Sequence, residues 1–236
     1  MKNLNNIFIS LVALVVAAAA LVVSLLNKGG DVASALKKNP ELVVQAMQDY
    51  EVQQRENAMK LLEENLQKNA NDLYANPNDG VIGNPDGKMV LVEFFDFSCG
   101  FCHRVHPAIK EIVANNPDVK VVAKPMTFLS PVSKYAAKAA LAAAEQGKFA
   151  DLYNAFFETE GRLSESKVDE LAAAAGLDME KLKADMNSEK VEKTLQDTAE
   201  LAGKVNINGV PTMVFNNKIL QTLDASVIQE AIDAVK

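Results

Sequence analysis

The chain holds two cysteines and two histidines, and all four lie in the segment CGFCHRVH at positions 99–106. Thiols and imidazoles support redox chemistry, covalent haem attachment and zinc binding. Three interpretations therefore compete: a reversible dithiol of Cys99 and Cys102, a haem anchor of the C-x-x-C-H type, and a zinc site that also uses His103 and His106. The elements around the segment must decide between them.

The segment follows a strand and opens a helix. Residues 89–95, MVLVEFF, form a near-continuous apolar run that is typical of a buried strand. Helical periodicity continues over 107–113, which places Cys99 near a helix N-terminus, where unpaired N–H groups and the helix dipole favour a thiolate. Cys102 lies one turn further along and points back toward the protein. The pattern predicts that Cys99 attacks, that Cys102 resolves, and that the two form a reversible disulfide.

Neither rival interpretation fits its surroundings well. Four ligands from eight consecutive residues do not easily surround a zinc ion tetrahedrally, so His106 is better explained as a half-exposed helix residue. The segment matches the haem-attachment motif, but a haem protein would give no role to Glu93 or to the pair Val210–Pro211. We therefore predict a site without metal and without cofactor.

Two residues outside the segment suit a dithiol. Glu93 lies inside an apolar strand, where a carboxylate is unfavourable without a partner or a task, and Lys124 at the end of the next predicted strand could pair with it. A buried acid there could take and return the proton of Cys102. Pro211 stands in another apolar run, either as a strand-start proline or in a cis bond that leaves the backbone of Val210 free for an extended substrate.

The order of the remaining elements predicts the fold. Turn-forming residues at 76–87 mark a boundary, and strand, helix and strand follow. A helical block spans about 131–203, and its helices are expected to start at cap residues such as Ser164, Asp178 and Ser188. Two strands and a last helix complete the chain. Without the helical block, this order is the βαβ-ββα arrangement of a thioredoxin fold, so the fold class is α/β with an all-helical insertion.

The N-terminal part predicts export and assembly. Residues 7–26 are apolar except for two serines, so residues 1–30 are either a cleaved signal peptide or an uncleaved signal-anchor. Residues 36–75 predict a helical stalk whose helix runs from Glu41 to about Leu73. Its apolar stripe is thin, with Val43, Met47, Tyr50, Leu62 and Leu66 among its members. Such a helix either joins copies of the chain or acts as a solvated spacer, and we favour oligomerisation.

Three motifs in one order resemble a known family. The segment EFFDFSCGFC at 93–102, the helical insertion and the segment GVPT at 209–212 together resemble the DsbA family of exported thiol–disulfide oxidoreductases. The resemblance covers roughly residues 81–236, the predicted thioredoxin-like domain. It implies site roles that we list by residue: Cys99 as nucleophile, Cys102 as resolving thiol, Glu93 as buried acid, Pro211 as cis-proline, Val210, Thr212 and Phe101 at the substrate, and His103 and Lys124 as redox-tuning residues.

Two departures from that family favour disulfide isomerisation. The dipeptide between the cysteines is Gly100–Phe101, where oxidases of the family commonly carry Pro-His, and Phe101 cannot stabilise a thiolate as histidine would. His103 replaces that histidine only in part, because it follows Cys102. Residues 36–75 also resemble the stalk of oligomeric isomerases. A monomeric oxidase remains the alternative, and a non-catalytic surface protein with the same fold is the alternative of another class.

The resemblance also implies where the chain works and with what. It predicts a periplasmic protein, with residues 7–26 as a tether if they are not cleaved. The expected partners are unfolded or misfolded exported proteins, a membrane protein that reduces or reoxidises the dithiol, and one or two further copies of the chain. A net charge of -7 and a pI of about 5.0 argue against nucleic acid as a partner.

Overall fold

The structure is a computed structural model that describes residue 34, residues 36–220 and residues 224–235. The signal or anchor predicted within residues 1–30 lies outside these described residues. Among the helices that are described, none combines the length and the apolar character that crossing a membrane requires. The chain divides into two compact units, and residue 60 begins the second.

The first unit contains the N-terminal part of a long helix, α1 (Glu41–Lys68). Several large apolar side chains of this part are exposed: Leu42, Val43, Val44, Met47, Tyr50, Val52 and Met59. The predicted helix is therefore present, but it ends at Lys68 instead of continuing to residue 73. Asn69 leaves the helical conformation, with φ of -105° and ψ of 19°, and α2 (Ala70–Tyr74) follows.

The second unit is built around a mixed sheet. Its strands in the described part of the chain are β1 (Gly80–Gly83), β2 (Met89–Phe95), β3 (Val119–Pro125), β4 (Thr212–Phe215) and β5 (Lys218–Ile219). They lie in the order β1-β3-β2-β4-β5, with β2 and β3 parallel and the other neighbours antiparallel. The later helices are α3 (Gly100–Asn115), α4 (Pro131–Ala143), α5 (Phe149–Glu158), α6 (Glu165–Ala174), α7 (Met179–Met186), α8 (Glu189–Lys204) and α9 (Ala225–Asp233).

This topology confirms the predicted α/β class with a thioredoxin-like sheet. Helices α4 to α8 form the predicted insertion between β3 and β4. Three of its helices begin at the predicted caps, because the side chains of Ser164, Asp178 and Ser188 each accept a hydrogen bond from the backbone N–H three residues later. These caps replace hydrogen bonds that the first helical N–H groups would otherwise lack.

Strand β1 was not expected, since the turn-rich region around it predicts a loop. Only two apolar residues, Val81 and Ile82, stand between its flanking glycines, which is too short a pattern to identify. It nevertheless pairs with β3 at the sheet edge. Gly80 is required there, because a Cβ atom would lie 2.0 Å from the ring of Phe149.

The sheet separates two apolar cores. Side chains alternate along β2, so Leu91 and Phe95 face a large core shared with α3 and the insertion, while Val92 and Phe94 face a smaller core on the other side. Leu66 lies in that smaller core and is fully buried. We had expected Leu62 and Leu66 between copies of the chain, and this expectation is wrong. Leu66 lies in the smaller core and Leu62 packs against it, because an apolar helix stripe can also be covered by a sheet of its own chain.

Candidate active site

The two cysteines lie where β2 passes into α3. Cys99 is the N-cap residue of α3 and Cys102 is in its first turn. Cys102 is fully buried, whereas Cys99 retains 6% of its surface. Both are free thiols. Burial raises the pKa of Cys102, and a backbone hydrogen bond from Asp96 opposes that rise only in part. Cys102 therefore needs a nearby base before it can act as a nucleophile.

The loop before β4 contacts Cys99. The Val210–Pro211 peptide bond is cis, as the resemblance implied. The Cys99 thiol donates to the carbonyl oxygen of Val210 across 3.6 Å, and the Thr212 hydroxyl donates to the carbonyl of Gly209 at 2.8 Å. Pro211 precedes β4, so its missing N–H interrupts no strand pairing. A group bonded to the Cys99 sulfur would therefore lie beside the Val210 backbone.

Glu93 is buried beneath the dithiol. Its side chain is 1% exposed, and its Oε2 accepts a hydrogen bond of 2.6 Å from the hydroxyl of Tyr153 on α5. Its Oε1 has no hydrogen-bond partner among the described residues. Burial raises the pKa of Glu93 to about 7, although the Tyr153 hydroxyl lowers it in part. The charge of Glu93 in turn raises the pKa of Cys102, so the two groups are coupled.

Lys124 does not pair with Glu93, which corrects the sequence-based expectation. In the parallel pairing of β2 with β3, Glu93 is opposite Ala123 and Lys124 is opposite Phe94. Neighbouring residues of a strand point to opposite faces, so Lys124 lies on the face away from Glu93. There its Nζ is 2.5 Å from Oδ2 of Asp79 and donates to the Asp72 carbonyl at 2.7 Å.

Tyr153 takes the place expected for Lys124. Burial raises its pKa well above the usual value, and the charge of Glu93 adds to that rise, so the phenol stays protonated and can only donate toward the carboxylate. The helical apolar spacing of α5 predicts that Tyr153 is buried, but spacing does not identify its partner. Tyr153 is thus a candidate site residue that the sequence-based interpretation missed.

His103 joins the dithiol helix to the insertion. Its Nδ1 lies 3.0 Å from the carbonyl oxygen of Phe157 on α5, and its Nε2 lies 3.0 Å from that of Phe97 in the turn before α3. Since a carbonyl oxygen can only accept, a hydrogen bond at either position is donated by the ring nitrogen. The two contacts fix the imidazole one turn after Cys99, which is compatible with the proposed tuning role.

His106 is not half-exposed, as we had expected, but buried. It retains 3% of its surface, its Nε2 is 2.8 Å from Oδ1 of Asn154, and its ring stacks on Phe157 at 5.4 Å. Burial lowers the pKa of His106, and the Asn154 side chain raises it in part. The cause of burial is the insertion, since α5 covers this face of α3. Both imidazoles of the motif are thus bound by partners within the protein.

Phe101 is exposed next to the cysteines. It retains 65% of its surface, and the guanidinium of Arg104 lies 4.0 Å from its ring centroid. Such a pair keeps an apolar ring ordered in water through a cation–π interaction. Its position is compatible with the predicted contact with substrate.

Asp96 is a second residue that sequence reasoning missed. It is fully buried directly after β2. Its Oδ1 accepts from the Ser98 N–H at 2.8 Å and from the Ser133 hydroxyl at 2.6 Å, and its Oδ2 accepts from the Leu129 N–H at 3.2 Å. The Asp96 carboxylate thus joins the turn before Cys99 to the start of the insertion through hydrogen bonds. A charged residue at the end of a buried strand was the available signal.

Comparison with known proteins agrees with this fold. The family model described as a DSBA-like thioredoxin domain matches residues 90–234. A thioredoxin-like oxidoreductase from Silicibacter pomeroyi is 34% identical, with a TM-score of 0.66 over 70% of this chain and 96% of that one. The catalytic domain of ScsC from Proteus mirabilis is 27% identical, with a TM-score of 0.67 over 73% of this chain and 97% of that domain.

A curated relative also matches part of the chain. The Na+/H+ antiporter NhaA 1 of Mycolicibacterium gilvum is 37% identical over 145 residues, which are 59% of this chain. The chain spans only 24% of that antiporter, so ion transport is a property of that protein. The family model, in contrast, runs from β2 through the dithiol helix and the insertion to α9. The chain therefore belongs to the family of DSBA-like thioredoxin domains.

Proposed function

We propose that this chain is an exported thiol–disulfide oxidoreductase that reshuffles disulfides in unfolded or misfolded proteins of the periplasm. The observation that carries the proposal is the arrangement of a dithiol at a helix N-terminus with a buried acid coupled to its second cysteine. Cys99 attacks a sulfur of the client disulfide, a Cys99–client disulfide forms, and the other client sulfur leaves as a thiolate.

Resolution requires a proton to move. Glu93, with a pKa of about 7, takes the Cys102 proton as the buried thiol attacks the sulfur of Cys99. The Cys99–Cys102 disulfide then forms, the client leaves reduced, and Glu93 releases its proton in the reverse step. In isomerisation, a second client thiolate attacks the mixed disulfide instead, and the dithiol is returned reduced. The Tyr153 hydrogen bond to Oε2 leaves Oε1 as the proton-accepting atom.

Two features support isomerisation over oxidation. Phe101 stands where a histidine would stabilise the thiolate, so the Cys99–Cys102 disulfide is a weaker oxidant here and less able to install new disulfides in clients. The exposed apolar side chains of α1, including Val43, Met47 and Tyr50, suit contact with further copies of the chain in a homotrimer or homodimer. Several dithiols around one client raise the effective thiol concentration. A membrane redox partner would keep those dithiols reduced.

The first test is the redox state of the dithiol in the cell. We expect thiol trapping to find Cys99 and Cys102 mostly reduced, and the purified protein to reduce insulin and to reactivate a scrambled disulfide substrate. A mostly oxidised pair would favour the oxidase alternative. Failure to reduce insulin would instead favour a non-catalytic protein that merely keeps the fold.

Glu93→Gln should slow resolution by Cys102 while leaving attack by Cys99 nearly unchanged. The amide cannot take the Cys102 proton, and loss of a positioned base slows a proton transfer on the order of 10²-fold. Rapid mixing with a disulfide peptide separates the two steps, because formation and decay of the mixed disulfide are followed independently. Equal decay rates in the variant and the parent would contradict the role of Glu93.

A pH series checks that the variant keeps the fold. The pKa of Glu93 rises from 4.5 to about 7 on folding, so the folded state binds this proton more tightly than the unfolded state. Stability is therefore lost as pH rises between these values, and the loss is complete above them, at most on the order of 3 kcal/mol. In denaturant titrations of the two proteins in their dithiol form, Glu93→Gln should have a higher free energy of unfolding than the parent at about pH 8 but not at about pH 4.

A further inference from the structure

An open groove of about 810 Å³ begins beside the dithiol. Three parts of the fold line it: the turn into α3, the loop before α4 with the start of that helix, and the loop between α5 and α6. The residues that matter are Gly100, Leu129, Val132, Arg162 and Leu163. No residue of the loop at 209–212 lines the groove. It is therefore a surface distinct from the Val210 backbone that contacts Cys99.

Gly100 has no side chain to cover the surface between Cys99 and the groove. A Cβ atom added at Gly100 would meet no atom within 4 Å. Its φ is also not in the positive region that favours glycine. Internal packing therefore does not require glycine at this position. The missing side chain instead exposes the backbone next to the reactive sulfur, so a chain bonded to Cys99 can continue into the groove.

The walls of the groove are apolar and incompletely covered. Leu129 is 46% exposed, and Val132 and Leu163 are only partly buried against the main core. An apolar side chain that enters the groove would remove these surfaces from water. The neighbouring Phe128 is 54% exposed but does not line the groove, so it serves as a matched control.

The charge of the groove is positive. Arg162 and His103 are the charged or basic side chains among its described lining residues, and no carboxylate lines it. Both ring nitrogens of His103 already face carbonyl oxygens. Arg162 is exposed and forms no ion pair within the described part of the chain. A bound segment with a carboxylate near its apolar side chain would form an ion pair with the Arg162 guanidinium.

We propose that this groove binds the client chain on one side of its reactive cysteine and prefers an extended segment with apolar side chains followed by an acidic one. The inference rests on the proposed function, because it requires a client bonded to Cys99. One flank of the client cysteine lies beside Val210, and the other enters the groove past Gly100. The groove thus determines which cysteines of an unfolded protein react first.

The test uses the full chain with Cys102→Ala and short peptides whose single cysteine is disulfide-bonded to 5-thio-2-nitrobenzoate. Cys99 attacks the peptide sulfur, a Cys99–peptide disulfide forms, and the coloured nitrobenzoate thiolate leaves and is counted. The flank Leu-Leu-Glu is compared with Ser-Ser-Lys, after the cysteine in one pair and before it in a second pair. In one of the two pairs, the Leu-Leu-Glu peptide should react about five-fold faster than the Ser-Ser-Lys peptide. This factor is expected when the groove covers about half of one leucine side chain.

Four variants separate the groove from other effects. Leu129→Ser and Arg162→Glu should each remove most of the preference, while Phe128→Ser and Lys167→Glu, outside the groove, should retain it. Every variant should still react with oxidised 2-mercaptoethanol, an uncharged disulfide that is too small to use the groove. Equal peptide rates in both pairs, or equal loss in Phe128→Ser and Leu129→Ser, would overturn the inference. No reaction of Cys99 with the small disulfide would overturn the proposed function as well.

Discussion

Cys99→Ser should reduce disulfide exchange to the background rate. A serine hydroxyl is not ionised at neutral pH and cannot form a disulfide, and Cys102 is buried with a raised pKa, so no other thiol replaces it. We expect no insulin reduction and no reactivation of a scrambled substrate. Turnover at the parent rate in Cys99→Ser would contradict the mechanism.

Cys102→Ala is the matched control, because it removes the other thiol of the same pair. It should retain the attack by Cys99 but lose resolution, so mixed disulfides with client proteins should accumulate. Non-reducing gels should show these species with Cys102→Ala and not with Cys99→Ser. Similar adducts with both variants would mean that Cys102 also attacks clients.

Removal of residues 36–59 should convert the proposed oligomeric isomerase into a monomeric reductase. A protein that starts at residue 36 presents the exposed apolar side chains of α1, whereas one that starts at Lys60 lacks them. Light scattering should find a trimer or dimer for the longer protein and a monomer for the shorter. The shorter protein should keep insulin reduction and lose most of its isomerase activity, because its dithiols no longer share one client.

The shorter protein must begin before Leu66. A protein that starts near Val81 would lose Leu66 and Leu73 from the smaller core, and it would lose Asp79, the partner of buried Lys124. Breaking a buried ion pair in this way costs roughly 3–5 kcal/mol. A loss of activity in such a protein would reflect unfolding and not the loss of oligomerisation.

A variant that keeps residues 36–59 controls for the truncation. Met47→Ser and Tyr50→Ser in the protein that starts at residue 36 keep the helix length but remove two exposed apolar side chains. This variant should behave like the shorter protein in light scattering and in the isomerase assay. A monomeric parent would contradict the oligomer and make residues 36–59 a spacer, which favours the oxidase alternative.

The sequence alone predicted the dithiol and, apart from β1, the order of the strands and of the helical insertion. The spacing of Cys99 and Cys102, the apolar strand before them and the helical insertion predicted a dithiol on a thioredoxin-like sheet. These signals are local: a strand, a cap or a turn depends on neighbouring residues, which the sequence lists in order. Ser164, Asp178 and Ser188 are helix caps for the same reason.

Only the tertiary structure decided which distant residues meet. Glu93 was recognised as a buried acid, but the register of β2 against β3 turns Lys124 to the other face and leaves Tyr153 of the insertion as the partner. Leu66 carries the same apolar pattern whether it packs on its own sheet or on another copy, and only its burial distinguishes the two. Register and docking depend on contacts between residues far apart in the chain, and a local pattern does not contain them.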